Sequence, residues 1–184
     1  MWVFFTGYGE CGKDTCADYV AEGCGSYKLA FADGVRDKAA EENRYFEELE
    51  CTYVEIVAKI GYEEAKKHQC VRDYLVEIGH GARTTYGPLV WIDMLNEKAN
   101  KRPGGGLALS LVVPDCRYLN EELFGRKRGN FVLIRIKRKG CKAKHDTEKR
   151  SIKELNPDYV IRNDGTKSEL YFQLELIIDE IYAK

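Results

Sequence analysis

The segment Gly7-Tyr8-Gly9-Glu10-Cys11-Gly12-Lys13-Asp14-Thr15 holds the clearest chemistry in the chain. Its glycines let the backbone turn tightly enough for successive N–H groups to converge on one anion. Lys13 adds a mobile positive charge directly after the last glycine. A helix starting there adds the positive end of its dipole. The spacing is the G-x-x-x-x-G-K core of a P-loop, a cradle for the phosphates of ATP with the lysine on the β- and γ-phosphates. Gly7, Gly9, Glu10, Cys11, Gly12, Lys13, Asp14 and Thr15 are the cofactor-binding residues this predicts, with Lys13 catalytic. The residue after the lysine is usually a Ser or Thr whose hydroxyl touches Mg²⁺. Here it is Asp14, followed by Thr15. Asp115 ends an apolar run, where a carboxylate orients Mg²⁺ or its waters. The metal is therefore expected at Asp14, Thr15 and Asp115, directly or through water. Cys11 lies near a helix N-terminus, a setting that lowers thiol pKa values. The plainer reading is that it offers only its backbone N–H.

These residues need elements to hold them. Val3 to Thr6 reads as a buried strand before the glycine turn, and Asp14 to Glu22 as the helix after it. Ser26 to Phe31 is a weaker strand, and Asp33 is placed to cap a helix running to about Arg44. The region from Glu47 to Glu97 has apolar residues at three- and four-residue spacing and reads as mostly helical. Lys101 to Gly106 is a loop. Leu107 to Val113 is a continuous apolar run, as in a central parallel strand buried on both faces. Asn120 to Lys127 predicts a short helix, Phe131 to Ile136 another buried strand, and Asp158 to Ile161 a short one. Thr166 caps a last amphipathic helix. Strands alternating with helices imply an α/β fold of three layers around a mainly parallel sheet. Ligands of such sheets bind beyond the carboxyl ends of the strands. The glycine loop, Asp115 and the charged stretch after Ile136 all fall at that edge.

Composition narrows the functions. A chain of 184 residues fits one domain, and 44% hydrophobic with 32% charged residues fits a globular protein. A net charge of −1 gives no basic field for a nucleic-acid backbone. No apolar run is long enough for a signal segment or a membrane span, so a cytoplasmic location is expected. The 7 cysteines are odd in number and irregular in spacing, with no C-x-x-C pair, which argues against a zinc ribbon or a secreted disulfide framework and predicts reduced thiols, mostly in the core.

Several segments together resemble the bacteriophage deoxynucleoside monophosphate kinases, within the wider nucleoside monophosphate kinase class. The Gly12-Lys13-Asp14-Thr15 ending is similar, as are Phe31-Ala32-Asp33-Gly34-Val35-Arg36-Asp37 and Val112-Val113-Pro114-Asp115-Cys116-Arg117. Arg72 to Gly79, Arg83 and Trp91 resemble the acceptor-side helices. His145-Asp146-Thr147-Glu148 and Asn163-Asp164-Gly165 follow in the same order. Gly34 stands where proline is common and Arg36 where lysine is common, and the chain is compact between Arg44 and Arg72.

The resemblance implies ATP as donor, Mg²⁺, a (deoxy)nucleoside monophosphate as acceptor, and a role in the host cytoplasm for a phage-encoded chain. It spans 1–184 as one P-loop kinase domain, with an acceptor-binding helical insertion at about 45–100 and a lid at about 137–155. Arg36, Arg72 and Arg83 are expected on the acceptor phosphate or the transferred group, because a guanidinium bonds phosphate oxygens in pairs. Trp91 is either a stacking surface for the acceptor base or a core residue. Arg117 either pairs with Asp115 or faces the acceptor. The basic segment Lys137 to His145 has the composition of a lid that excludes water, with Arg138 catalytic, Arg150 as a further lid charge and His145 as a hydrogen-bonding lid residue. Asn163 and Gly165 are placed to approach the adenine. The expected partners are small nucleotides, without nucleic acid or membrane, and a homodimer is compatible with the sequence. Two other readings stay open. One is a P-loop kinase of another phosphorylated acceptor, of the phosphomevalonate or dephospho-coenzyme A type. The other is a non-catalytic nucleotide-binding module, although the Asn-Lys-x-Asp of a guanine switch is absent.

Overall fold

The computed structural model describes residues 1–103, 110–143 and 145–183. In chain order its elements are β1 (Trp2–Thr6), α1 (Lys13–Gly23), β2 (Tyr27–Lys28), α2 (Phe31–Glu42), β3 (Tyr45–Phe46), β4 (Cys51–Thr52), α3 (Tyr53–Ile60), α4 (Tyr62–Ala65) and α5 (Gln69–Tyr86). Then follow α6 (Val90–Asn100), β5 (Leu111–Val113), α7 (Leu119–Arg126), β6 (Phe131–Lys137), α8 (Asp146–Glu154), β7 (Tyr159–Arg162) and α9 (Lys167–Tyr182). Contacts group them into two compact units: Met1–Ala30 with Asn96–Lys184, and Phe31–Leu95. Where the sequence suggests a helical region starting near residue 45, contacts group α2 with it as well.

The larger unit is built on a five-stranded parallel sheet in the order β2-β5-β1-β6-β7. β1 holds the centre, and its residues Trp2 to Phe5 are all buried. Aromatic and β-branched side chains suit a strand covered on both faces. On one face Val3 and Phe5 join Val112, Ile134, Ile136 and Ile161 against Cys16, Ala17 and Val20 of α1 and Leu170 and Leu174 of α9. Each fully buried leucine contributes about 1.5–3 kcal/mol by leaving water. On the other face Trp2 meets Phe124 of α7 with ring centres 5.6 Å apart, and Phe4 meets Phe131 edge-on at 5.0 Å. Helices on both faces give the expected α/β/α layering.

Two buried carboxylates hold α7 in place. Glu121 accepts the backbone N–H groups of Arg117 and Tyr118 at 2.7 and 3.0 Å, satisfying donors at the helix start. Glu122 pairs with Arg126 Nε at 2.7 Å and accepts the Asn156 N–H at 3.0 Å. Thr166 caps α9 as its sequence predicts, in a reciprocal pair with Glu169.

Two expectations are corrected, and a third is met where it is described. The strand expected over 107–113 is described from Leu111, since residues 107–109 lie outside the described set, and it is an interior parallel strand beside β1 with Leu111, Val112 and Val113 all buried. The loop residues 104–106 also lie outside it. Asp33 does not cap α2, because the helix already begins at Phe31; it sits in the first turn and pairs with Arg36. The region read as mostly helical contains a small hairpin, with Tyr45 opposite Thr52 and Phe46 opposite Cys51. Strands of two residues carry no period for a sequence to display.

In the smaller unit, Tyr74 of α5 is packed edge-on by Phe46 and Tyr53, both at 5.7 Å, and donates its hydroxyl to Ala39 O of α2 at 2.9 Å. Arg44 lies over the Tyr74 ring at 4.5 Å and forks onto Glu77 at 2.7 and 2.8 Å. All 7 cysteines are unpaired, with Cys11, Cys16 and Cys116 fully buried.

The α7–β6 contact is tight enough to test. A Cβ on Gly125 would lie 2.1 Å from the Phe131 ring, which also packs edge-on with Phe4. Gly125→Ala should destabilise the protein by about 1–3 kcal/mol, the usual cost of overpacking. A lowered urea midpoint at unchanged denaturant slope would report it.

Candidate functional site

Because every strand of the sheet is parallel, the ends of β1, β5, β6 and β7 share one edge. Short bonds join the segments that leave it. Cys116 N donates to Phe5 O at 3.1 Å, and Asn163 N to Lys137 O at 2.8 Å. Lys139 N donates to Asp164 Oδ1 at 2.5 Å. The edge therefore carries the glycine loop, Asp115, Arg138 and Asn163 on a tied backbone.

The glycine loop is positioned by what it cannot contain. Gly7 and Gly12 have φ values of 143° and 99°. A Cβ on Gly7 would meet the Ile136 carbonyl oxygen at 2.4 Å, and one on Gly12 would meet Asn163 Nδ2 at 2.4 Å. Only glycine satisfies both the torsion and the space. Glu10 also takes a left-handed conformation, with φ of 64°. The Asn163 side chain donates to Cys11 O at 2.9 Å, so the turn after β7 buttresses the loop after β1. Gly9 completes the loop, and α1 begins at Lys13 with its first-turn N–H groups at the loop's end.

Lys13 is only 8% exposed. Its ammonium group donates to Tyr8 O at 2.7 Å and lies 3.9 Å from Cys11 Sγ. A buried cation held mainly by a carbonyl, beside a helix N-terminus, makes a site for a negatively charged ligand. Cys11 is buried, and that burial pushes its thiol pKa up despite the downward pull of Lys13. It is a packed side chain rather than the activated thiol that a helix N-terminus alone would suggest.

Asp14 and Thr15 lie in the first turn of α1. The Asp14 carboxylate is exposed and stands 3.5 Å from Lys28 Nζ of β2. Asp115 is partly buried just beyond β5. Arg117 is exposed, with its backbone N–H on Glu121. Among the segments expected to form a lid, Arg138, His145 and Arg150 are all exposed. His145 precedes α8 and accepts the Lys149 N–H through its carbonyl at 3.1 Å, while Lys144 lies outside the described residues. Gly165 leads into α9, beside an open hollow of about 610 Å³ lined by Arg162, Asp164, Ser168 and Phe172.

The smaller unit carries the remaining candidates. Arg36 of α2 pairs with Asp33 and lies 4.8 Å over the Tyr62 ring. Arg72 and Arg83 are eleven residues apart on α5, three turns of one stripe and roughly 16 Å. Arg72 is exposed, and Arg83 Nη1 donates to Pro88 O at 3.4 Å. Trp91 is 3% exposed and donates its indole N–H to Gly79 O at 3.3 Å. A Cβ on Gly34 would stand 2.8 Å from its ring. The alternative of a stacking surface for a base gives way to a packing role, and Trp91 accounts for the glycine at position 34.

Sequence reasoning missed two participants, Lys28 and Arg135, and for Asn163 it pointed to the turn and not to a side chain that supports the glycine loop. Lys28 gave no signal beyond being a charge in a weak strand. Arg135 lies in register with Thr6 on the neighbouring strand and donates through Nη2 to Ile152 O and Leu155 O, at 2.7 and 2.9 Å. It thereby places a positive charge on the carbonyl end of α8. Burial holds its pKa below the usual guanidinium value. Arg135 Nε and Thr6 Oγ1 are buried and have no hydrogen-bond partner among the described residues.

No protein-family model matches the sequence, and no curated protein is significantly similar to it. Solved structures share its fold. A shikimate kinase from Aquifex aeolicus is similar over 98% of this chain and 97% of its own, with a TM-score of 0.50 at 10% identity. A sugar kinase from Janibacter sp. HTCC2649 covers 97% and 94%, with a TM-score of 0.52 at 14% identity. A gluconokinase from Sinorhizobium meliloti covers 98% and 94%, with a TM-score of 0.50 at 12% identity. At these identities the likeness shows the three-layer α/β fold around a mainly parallel sheet.

Removing the buttress tests the loop. Asn163→Ala deletes one hydrogen bond to Cys11 O and leaves the glycines intact. Calorimetric titration with ADP should give an affinity about five-fold lower, the equivalent of one net hydrogen bond.

Proposed function

We propose that this protein is an ATP-dependent kinase of a small acceptor, most specifically a (deoxy)nucleoside monophosphate. The observation that carries the proposal is Lys13, buried inside a loop whose backbone tolerates glycine alone at positions 7 and 12. A site of this kind holds phosphate through N–H groups and one cation. The fold shared with several small-molecule kinases agrees with transfer from ATP.

In this reading Lys13 and the loop N–H groups hold the β- and γ-phosphates and offset the charge that spreads over the moving group. Arg36, Arg72 and Arg83 are the acceptor-side charges, and Arg138 with Arg150 lies in the segment that covers the nucleotide. His145 is not needed as a base, because an acceptor phosphate attacks without losing a proton first. Arg117 either pairs with Asp115 or faces the acceptor, and the backbone of the Asn163–Gly165 turn is assigned to the adenine.

The residues present fit Mg²⁺. The donors expected for it are hard oxygens, the Thr15 hydroxyl in the first turn of α1 and the Asp14 and Asp115 carboxylates. Among the described residues no three His, Cys, Asp or Glu side chains cluster as a metal cage. That suits an ion held mostly by phosphates and water. When bound, it neutralises phosphate charge during transfer.

The nucleotide assignment draws on the ordered resemblance and on the three arginines of the smaller unit. A panel of deoxynucleoside and nucleoside monophosphates, with ATP and Mg²⁺ and read by ADP release, tests it. At least one monophosphate should be turned over. Turnover of phosphomevalonate, dephospho-coenzyme A, shikimate or gluconate alone would overturn the nucleotide reading and keep the kinase. Lys13→Ala should reduce transfer by a factor on the order of 10² or more, as expected for removing a fixed charge from the transition state.

A further inference from the structure

The Asp14 position poses an electrostatic problem. A carboxylate in the first turn of α1, next to the phosphate-binding lysine, repels the anion the loop is built to hold. The structure places a counter-charge beside it. Lys28, the last residue of β2, sits 2.7 Å from Asp18 Oδ1 and 3.5 Å from Asp14 Oδ1. Asp14 and Asp18 are four residues apart on one face of α1, a like-charged pair that would otherwise destabilise the helix. Lys28 bridges both. Its side chain is 31% exposed, against 78% for Asp14 and 57% for Asp18, so the cation is the least exposed of the three groups.

We propose that Lys28 is a positioning residue of the phosphate site: it holds the Asp14 carboxylate against β2, away from the glycine loop, and cancels its charge. The inference rests on the reading of the loop as a nucleotide-phosphate cradle. It assigns Asp14 to Lys28 rather than to the metal, which leaves Thr15 and Asp115 as the metal-side oxygens. It also explains how an aspartate can follow the phosphate lysine. As an exposed ion pair the Lys28 contact contributes little to stability, so its effect should appear in ligand affinity.

The experiment is titration with ADP in EDTA at low ionic strength, so that no metal enters. Lys28→Met should weaken binding about three-fold, the effect of one uncancelled charge about 6 Å away in water. Lys28→Arg should bind as the unchanged protein does. The double variant Lys28→Met with Asp14→Asn should recover the lost affinity. The loss in Lys28→Met should shrink at 0.5 M salt, where the Debye length is about 4 Å. Thermal midpoints confirm that each variant is folded. Equal affinity of Lys28→Met and the unchanged protein overturns the inference. So does a double variant that stays as weak as Lys28→Met, because Lys28 would then act on the phosphate itself. If the unchanged protein binds no ADP, or Lys13→Ala binds it equally well, the phosphate reading falls and takes this inference with it. Intact Lys13-dependent binding with no Lys28 effect removes only the inference.

Discussion

The absence of room for a Cβ at Gly7 and Gly12 is the constraint on which the rest of the larger unit depends. The loop after β1 presses against the Ile136 carbonyl of β6 on one side and the Asn163 side chain beyond β7 on the other. Three consecutive strands of the sheet are therefore tied together at the edge that carries the glycine loop. The buried ammonium of Lys13 exists only because this backbone curls around it. The sheet register, with Phe5 beside Ile134 and Thr6 beside Arg135, brings those neighbours to the right height.

Much of this was legible in the sequence. A buried strand, a glycine spacing and a lysine at a helix start are local features, and local features are what periodicity and motif carry. The alternation of strands and helices led to the layered fold for the same reason. The capping pair at Thr166 and Glu169 was readable because its partners are three residues apart. What stayed hidden depends on distant pairs. Trp91 can be judged a core residue only when Gly34 is seen beneath its ring. The hairpin at Tyr45 and Cys51 was too short to show alternation. Asp33 has the composition of a cap, yet Phe31 and Ala32 extend the helix past it and leave it to pair with Arg36.

The charges divide in the same way. The arginines and lysines were all countable, but their partners were not. Lys28 is an ordinary cation in a two-residue strand until Asp14 and Asp18 are placed beside it. Glu121 and Glu122 look like solvent-facing residues of a short helix, and both are buried because backbone N–H groups and Arg126 satisfy them. In each case the side chain sits where a second segment supplies the opposite charge or the missing donor.

Arg135 gives the segment between β6 and β7 a particular mechanical character. The start of that segment is fastened by Lys139 to Asp164, and its end by the two carbonyls that Arg135 draws in from α8. Lys139 and the C-terminal end of α8 are thus two points at which the chain leaving β6 is tied back to the sheet before it enters β7. Fixing a connection at both ends removes much of its chain entropy already when the sheet forms.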